Sequence, residues 1–266
     1  MFNHEILIDI FRNFTLFTHK SGSYVKIICR YQQYRAVGKM INKLQSGTDW
    51  KSRSGVIWHT QGSGKSFTMV FLVRKMRHIA DLREYRILMV VDRQDLEDQL
   101  SETAEHTGEL RYDTKTKKIQ NIIENRQALV KLETDTADLN LVMIHKFGEN
   151  KEYSLESLIK TGIVPKYESF PVINNSEKIL VLIDEAHRSQ GGEMGDNLFQ
   201  AFPNAARIGF TGTPLITPRH KATTCERFGQ EAGVFIDTYK MNDSVKDNAT
   251  VDIKYIGRKS QDNIPN

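Results

Sequence analysis

The stretch Ile57–Ser66, IWHTQGSGKS, constrains the fold more than any other part of the chain. A short apolar run turns glycine-rich, ends in Gly-Lys-Ser and leads into FTMVFLVRKMRHIA, which reads as a buried helix. Strand, glycine turn and helix in that order point backbone N–H groups at a helix N-terminus, a ready anion site. Gly62 and Gly64 let the backbone fold tightly against a phosphate. Lys65 would reach β- and γ-phosphates, and Ser66 would bind Mg2+. Gln-Gly-Ser-Gly-Lys-Ser therefore predicts a nucleotide cradle built from Gly62, Ser63, Gly64, Lys65 and Ser66. The first glycine of the usual pattern is replaced by His59. That position lies at the end of the strand, where a side chain can be accommodated.

Four further apolar runs have strand length: Arg86–Val91, Asn140–His145, Lys178–Asp184 and Ala206–Gly212. Helix-capable polar segments separate them. Continuous apolar strands alternating with helices predict an α/β fold, a mostly parallel sheet covered on both faces. Tyr34, Val37, Ile41 and Leu44 recur at helical spacing and predict a helix over 31–44. The polar stretches 101–118 and 149–177 read as surface excursions. Beyond Pro214 the periodicity is lost, apart from an alternating run over 251–257. The expected organisation is a lead-in over 1–30, a nucleotide-binding lobe over 31–215, and a linker with the start of a second lobe over 216–266.

The run KILVLIDEAHRSQGG ends an apolar strand in Asp184 and Glu185. Phosphoryl transfer needs one carboxylate to hold Mg2+ and another to orient the attacking water. Asp184 suits the first role and Glu185 the second. Both carboxylates would sit with Lys65 at the carboxyl ends of neighbouring parallel strands, where such sheets bind ligands.

A net charge of +4 and a pI near 8.9 permit a nucleic-acid partner without requiring one. Two cysteines make neither a disulfide framework nor a zinc cluster, which predicts a reducing, cytoplasmic setting. No apolar run approaches the roughly 20 residues of a membrane span.

These motifs in this order, GSGKS, then DEAH after a strand, then TGTP at Thr211–Pro214, resemble superfamily 2 helicases and translocases. The wording WHTQGSGKS, VVDRQDLEDQL, IHKF, LIDEAHRSQGG and GFTGTPL resembles the motor subunit of type I restriction enzymes more closely still. The resemblance implies a RecA-like P-loop NTPase, a three-layer α/β/α lobe that uses ATP and Mg2+ to drive movement along double-stranded DNA. It implies methylase and specificity subunits as partners and no membrane. It further implies that Gln33, in RYQQYRAV, reads adenine. Arg93 and Lys146 would lie near DNA, and His187, Thr211 and Thr213 would couple the ATP site to the DNA track. The family's motor subunits are longer, with a nuclease domain before the motor and a second lobe after it. This chain shows no nuclease carboxylate cluster before Tyr31 and is expected to be a first motor lobe. Two other readings stay open: a lobe of another superfamily 2 translocase or helicase, and a nucleotide-sensing module that docks a partner without catalysis.

Overall fold

A computed structural model describes residues 3–20, 23–92, 112–113, 118–119, 122–123, 129, 132–133, 139–148, 170–189, 193–216 and 223–251. The chain opens with helix α1 (His4–Asn13), capped by the Asn3 side chain, and a hairpin of β1 (Thr15–Lys20) and β2 (Ser23–Ile28). The stretch expected as a lead-in is thus a small folded unit. It is tied to the rest by an Asp9–Lys75 ion pair at 2.6 Å and by Phe14, which is buried.

Helix α2 (Tyr31–Ser46) follows, two residues longer than its apolar periodicity predicts. Then come β3 (Gly55–His59), α3 (Lys65–Arg77) and β4 (Arg86–Val91). Two-residue strands β5 (Tyr112–Asp113), β6 (Lys118–Ile119) and β7 (Ile122–Ile123) precede β8 (Leu139–Met143). A 3-10 turn, Ile144–Phe147, ends β8 two residues before the predicted strand end. The chain continues through β9 (Ile179–Ile183), α4 (Ala186–Ser189), α5 (Glu193–Ala201) and β10 (Ala206–Thr211). It closes with α6 (Thr224–Arg227), β11 (Asp237–Tyr239) and α7 (Met241–Lys246).

The central sheet has seven strands in the order β11-β3-β10-β9-β4-β8-β7, and every pairing in it is parallel. Alternate residues of each strand feed opposite cores, as the two-residue period of a strand requires. Leu180 and Leu182 of β9 join Ile57, Ile87 and Met89 on the side covered by α2 and α3. Ile179, Val181 and Ile183 join Val56, Leu88 and Val90 on the side covered by α5. Helix α3 is buried over most of its circumference, with Met69 to Val73 all at 1% exposure or less, so it reads apolar all round rather than amphipathic. This is the parallel sheet covered on both faces that the strand pattern predicts, in the three-layer α/β/α arrangement that the resemblance implies.

Two features differ from the sequence reading. The loop strand β3 and the acidic strand β9 are not neighbours, because β10 lies between them. Strand order depends on crossovers, which local hydropathy does not encode. Secondly, the stretch read as leading away from the lobe adds a strand to it: β11 pairs with β3 along the sheet edge. Most of the predicted strand over 251–257 lies outside the described residues.

Candidate nucleotide site

The turn after β3 explains why the missing glycine does no harm. Position 59 is the last residue of an extended strand; the left-handed backbone falls at Gly62 (φ 78°) and Gly64 (φ 82°). Both are glycines, the residue that adopts this conformation without steric cost. Gly64 is the N-cap of α3, and Lys65 and Ser66 are the first residues of that helix. Ser63 is buried, and its hydroxyl donates to the Thr60 carbonyl at 2.6 Å, which closes the turn on itself. Thr68 donates to the Gly64 carbonyl at 3.1 Å and ties the turn to the first turn of α3. The loop is thus held in the cradle shape before anything binds.

Gln33 approaches the same turn from α2. Its Nε2 donates to the Gly64 carbonyl at 2.9 Å, and its Oε1 accepts from the Arg30 N–H at 2.8 Å. A Cβ on residue 64 would stand 2.6 Å from that Nε2, so glycine is needed for this approach as well as for its φ. The two bonds leave one Nε2 hydrogen and one Oε1 lone pair, the donor–acceptor pair an adenine edge requires.

Asp184 and Glu185 arrive at the end of β9. Asp184 is 3% exposed and accepts from the Glu185 N–H at 2.9 Å. Burial pushes its pKa above the ordinary carboxylate value, while the Lys65 charge and that N–H pull it back. Glu185 has φ 47°, one of two non-glycine residues with positive φ among those described. Such a conformation is costly for a side chain with a Cβ and clusters at functional sites. It sets the Glu185 carboxylate 3.9 Å from Lys65 Nζ and 3.3 Å from His187 Nδ1. Lys65 and the acidic motif therefore meet although a strand separates β3 from β9.

His187 continues the line away from the loop. Its Nδ1 lies 2.8 Å from Thr211 Oγ1, and its Nε2 lies 3.3 Å from Thr213 Oγ1. Thr213 N–H donates to Thr211 Oγ1 at 3.1 Å, which folds TGTP back on itself. Gly212 sits over the phosphate loop: a Cβ there would stand 3.2 Å from the Gln61 nitrogen, and the Gly212 carbonyl accepts from Trp58 Nε1 at 3.0 Å. Lys65, Glu185, His187, Thr211 and Thr213 thus form one connected set. Lys146 lies apart, in the 3-10 turn after β8, partly exposed beside exposed His145. Burial and the Lys146 charge lower the His145 pKa, against Asp92. Arg93 falls outside the described residues.

The donor set fits a nucleotide and one Mg2+. Such an ion takes one or two protein oxygens and completes its shell with water and phosphate. Ser66 and Asp184 would supply that number. Among the described residues no group of three or more His, Cys, Asp and Glu side chains is placed to hold a metal by itself.

One buried polar cluster beside the loop has no motif in the sequence. His59, fully buried, places Nε2 2.9 Å from Asp237 Oδ2 on β11. Arg35 donates to both Asp237 oxygens at 2.9 and 2.8 Å, and Lys39 Nζ donates to Oδ1 at 2.7 Å. Burial alone would raise the Asp237 pKa; hydrogen bonds from His59, Arg35 and Lys39, with the Arg35 charge, overcome it and hold the carboxyl far below its usual range. The short apolar run VFIDTY around Asp237 was the one available signal.

A parallel sheet with a glycine cradle at one strand end and an acidic pair facing its lysine defines a P-loop NTPase. Within that class the chain belongs to the SWI2/SNF2 ATPase family, whose model matches residues 32–266. It is 34% identical to the type I restriction enzyme HindI endonuclease subunit of Haemophilus influenzae, over 94% of this chain and 23% of that protein. It is 30% identical to the putative type I restriction enzyme MjaVIIIP endonuclease subunit of Methanocaldococcus jannaschii, over 98% of this chain and 26% of that protein. The chain therefore spans about a quarter of the length of these relatives. A nuclease-deletion mutant of the Type ISP restriction-modification enzyme LlaGI, solved with a DNA substrate mimic, has the same fold. It aligns at a TM-score of 0.51 and 15% identity, over 83% of this chain and 20% of that one. Among the described residues no helix is long and apolar enough to cross a membrane.

Proposed function

We propose that this chain is the ATP-binding motor lobe of a type I restriction enzyme's endonuclease subunit. The observation that carries the reading is the 3.9 Å approach of Lys65 to Glu185 across the glycine cradle, in a chain 34% identical to such a subunit. In this reading the loop amides of Gly62, Ser63 and Gly64, with Lys65, hold the phosphates. Ser66 and Asp184 hold Mg2+, which would supply charge neutralisation at the γ-phosphate. Glu185 orients water, and Gln33 reads adenine. His187, Thr211 and Thr213 transmit the state of the γ-phosphate from Glu185 toward the DNA side, and Lys146 and Arg93 lie toward the DNA phosphates.

In the full enzyme the lobe would work with a second one to move double-stranded DNA, alongside methylase and specificity subunits in the cytoplasm. The lobe itself would run from about Tyr31 through β11. Magnesium-dependent ATP binding by the 266-residue chain, with co-purification of the two partner subunits by the full-length parent protein, tests the proposal. A parent that binds ATP but pulls down neither partner favours the second reading, a lobe of another translocase. That reading draws on the SWI2/SNF2 match, which by itself does not single out restriction.

A further inference from the structure

We propose that the His59–Asp237 pair is a positioning device that sets the phosphate loop against the helix carrying Gln33, and so makes base discrimination depend on a residue of the edge strand β11. The inference rests on the nucleotide-site reading above and deepens it.

Three elements meet at one carboxylate. His59 is the last residue of β3 and immediately precedes the loop. Asp237 opens β11, which pairs with β3 in register Asp237↔Ile57 and Tyr239↔His59. Arg35 and Lys39 project from α2, one and two turns beyond its start. Asp237 is 1% exposed at its side chain and bonds His59, Arg35 and Lys39 within 2.9 Å. Arg35 also donates to the Thr238 carbonyl at 2.9 Å, and the Thr60 N–H donates to the Tyr239 carbonyl at 2.8 Å. The start of the loop and the start of α2 are therefore both pinned to β11.

Gln33 lies two residues before Arg35 and spans the gap from α2 to the Gly64 carbonyl. A side-chain amide recognises adenine only where its donor and acceptor are fixed to within a few tenths of an ångström. With Asp237 neutralised, Lys39 and much of Arg35, which are 50% and 39% exposed at their side chains, turn to solvent; beside the apolar packing of α2 on α3, the Gln33 bond to Gly64 is then the direct polar tie from α2 to the loop. In this reading the departure from glycine at position 59 has a use: a glycine would keep the backbone pairing with β11 but has no side chain to reach Asp237.

The test is calorimetric titration of the 266-residue chain with Mg-ATP and with Mg-GTP, on the parent and on Asp237→Asn, Arg35→Ala, His59→Leu, His59→Gln and Lys65→Ala. Each variant is first checked for a cooperative melt. The parent is expected to prefer ATP. Asp237→Asn and Arg35→Ala are expected to lose about tenfold in ATP affinity, the scale of one charge-assisted contact, and to bind ATP and GTP nearly alike. His59→Leu should behave in the same way. His59→Gln, whose side-chain N–H reaches about as far as imidazole Nε2, should recover most of the preference. A merely structural pair would lower the melting temperature and leave the ATP-to-GTP ratio of the folded protein unchanged. Arg35 is partly exposed, so Arg35→Ala keeps the test decisive if a buried variant does not fold. A preserved ratio in Arg35→Ala and Asp237→Asn, with Lys65→Ala weakened, overturns this inference alone. Unchanged binding in Lys65→Ala overturns the site reading and the inference with it. A parent that binds ATP and GTP equally overturns the base-reading step.

Discussion

Lys65 is the residue on which the site turns. It begins α3, lies 9% exposed, and points its ammonium at the acidic motif rather than at solvent. A cation so placed neutralises phosphate charge in surroundings that water screens poorly, and Lys65→Ala should raise the dissociation constant for ATP at least about tenfold. Isothermal titration at fixed Mg2+ measures it directly. Gln33, in the role proposed for it, would bear on selectivity instead. Gln33→Ala should cost little in phosphate binding and bring ATP and GTP to similar affinities, which competition between the two nucleotides reads out. At this scale the sequence was informative where chemistry is local: GSGKS and DEAH state their neighbours outright. It was silent on Asp237, whose partners lie 178 to 202 residues away in the chain. A buried aspartate at the head of the three-residue strand Asp-Thr-Tyr has no local signature until the strand that buries it is known.

Among the elements, β11 is the least legible and α3 the most. An apolar run of helical length after a glycine turn has few other ways to fold. Its Phe71 is fully buried against Phe14, with ring centroids 5.6 Å apart. Phe71→Ala should cost about 3–5 kcal/mol by emptying that space, seen as a lowered urea midpoint with an unchanged slope. β11 has three residues and a charged one at its head, so neither length nor alternation marks it. Beside its backbone pairing with β3 and the buried Tyr239, part of its stabilisation is electrostatic and therefore depends on pH. The folded pKa of Asp237 lies below the ordinary 3.8, so the unfolded chain takes up its proton first as pH falls. The contribution is complete above 3.8 and is lost as acid is added below it. Asp237→Asn should cost about 1–3 kcal/mol at pH 7, because the buried His59 loses its carboxylate partner while Arg35 and Lys39 can turn to water. The stability gap between parent and variant should narrow from pH 6 to pH 3 in urea titrations. Asp184, raised by burial, has the opposite sign but is common to both proteins and cancels in the difference.

For the molecule as a whole, the largest of the three sheets among the described residues is a seven-stranded parallel one with the candidate nucleotide cradle at its carboxyl edge. Phosphates and Mg2+ would be held by Lys65, Ser66 and Asp184, and water by Glu185. Charge developing on a transferring γ-phosphate also calls for an arginine set against it, worth roughly 10³- to 10⁵-fold in rate. Among the described residues, the basic side chains against Glu185 are Lys65, from the cradle, and His187, from the side of Thr211 and Thr213, and neither is an arginine. Movement along DNA needs two lobes that close and open around the nucleotide, and the described residues form one of them. The isolated chain should therefore bind Mg-ATP but turn it over at about 10⁻² per second or slower, roughly 10³-fold below an ordinary enzyme. Duplex DNA should accelerate it little. Any DNA contact would run through phosphates, so affinity should fall steeply between 50 and about 200 mM salt, regardless of sequence. A steady-state ATPase assay with and without duplex, paired with a salt series of fluorescence anisotropy, measures both. Turnover of several per second, stimulated by DNA, would mean that this chain supplies the missing cation itself and that the lobe is a complete catalyst.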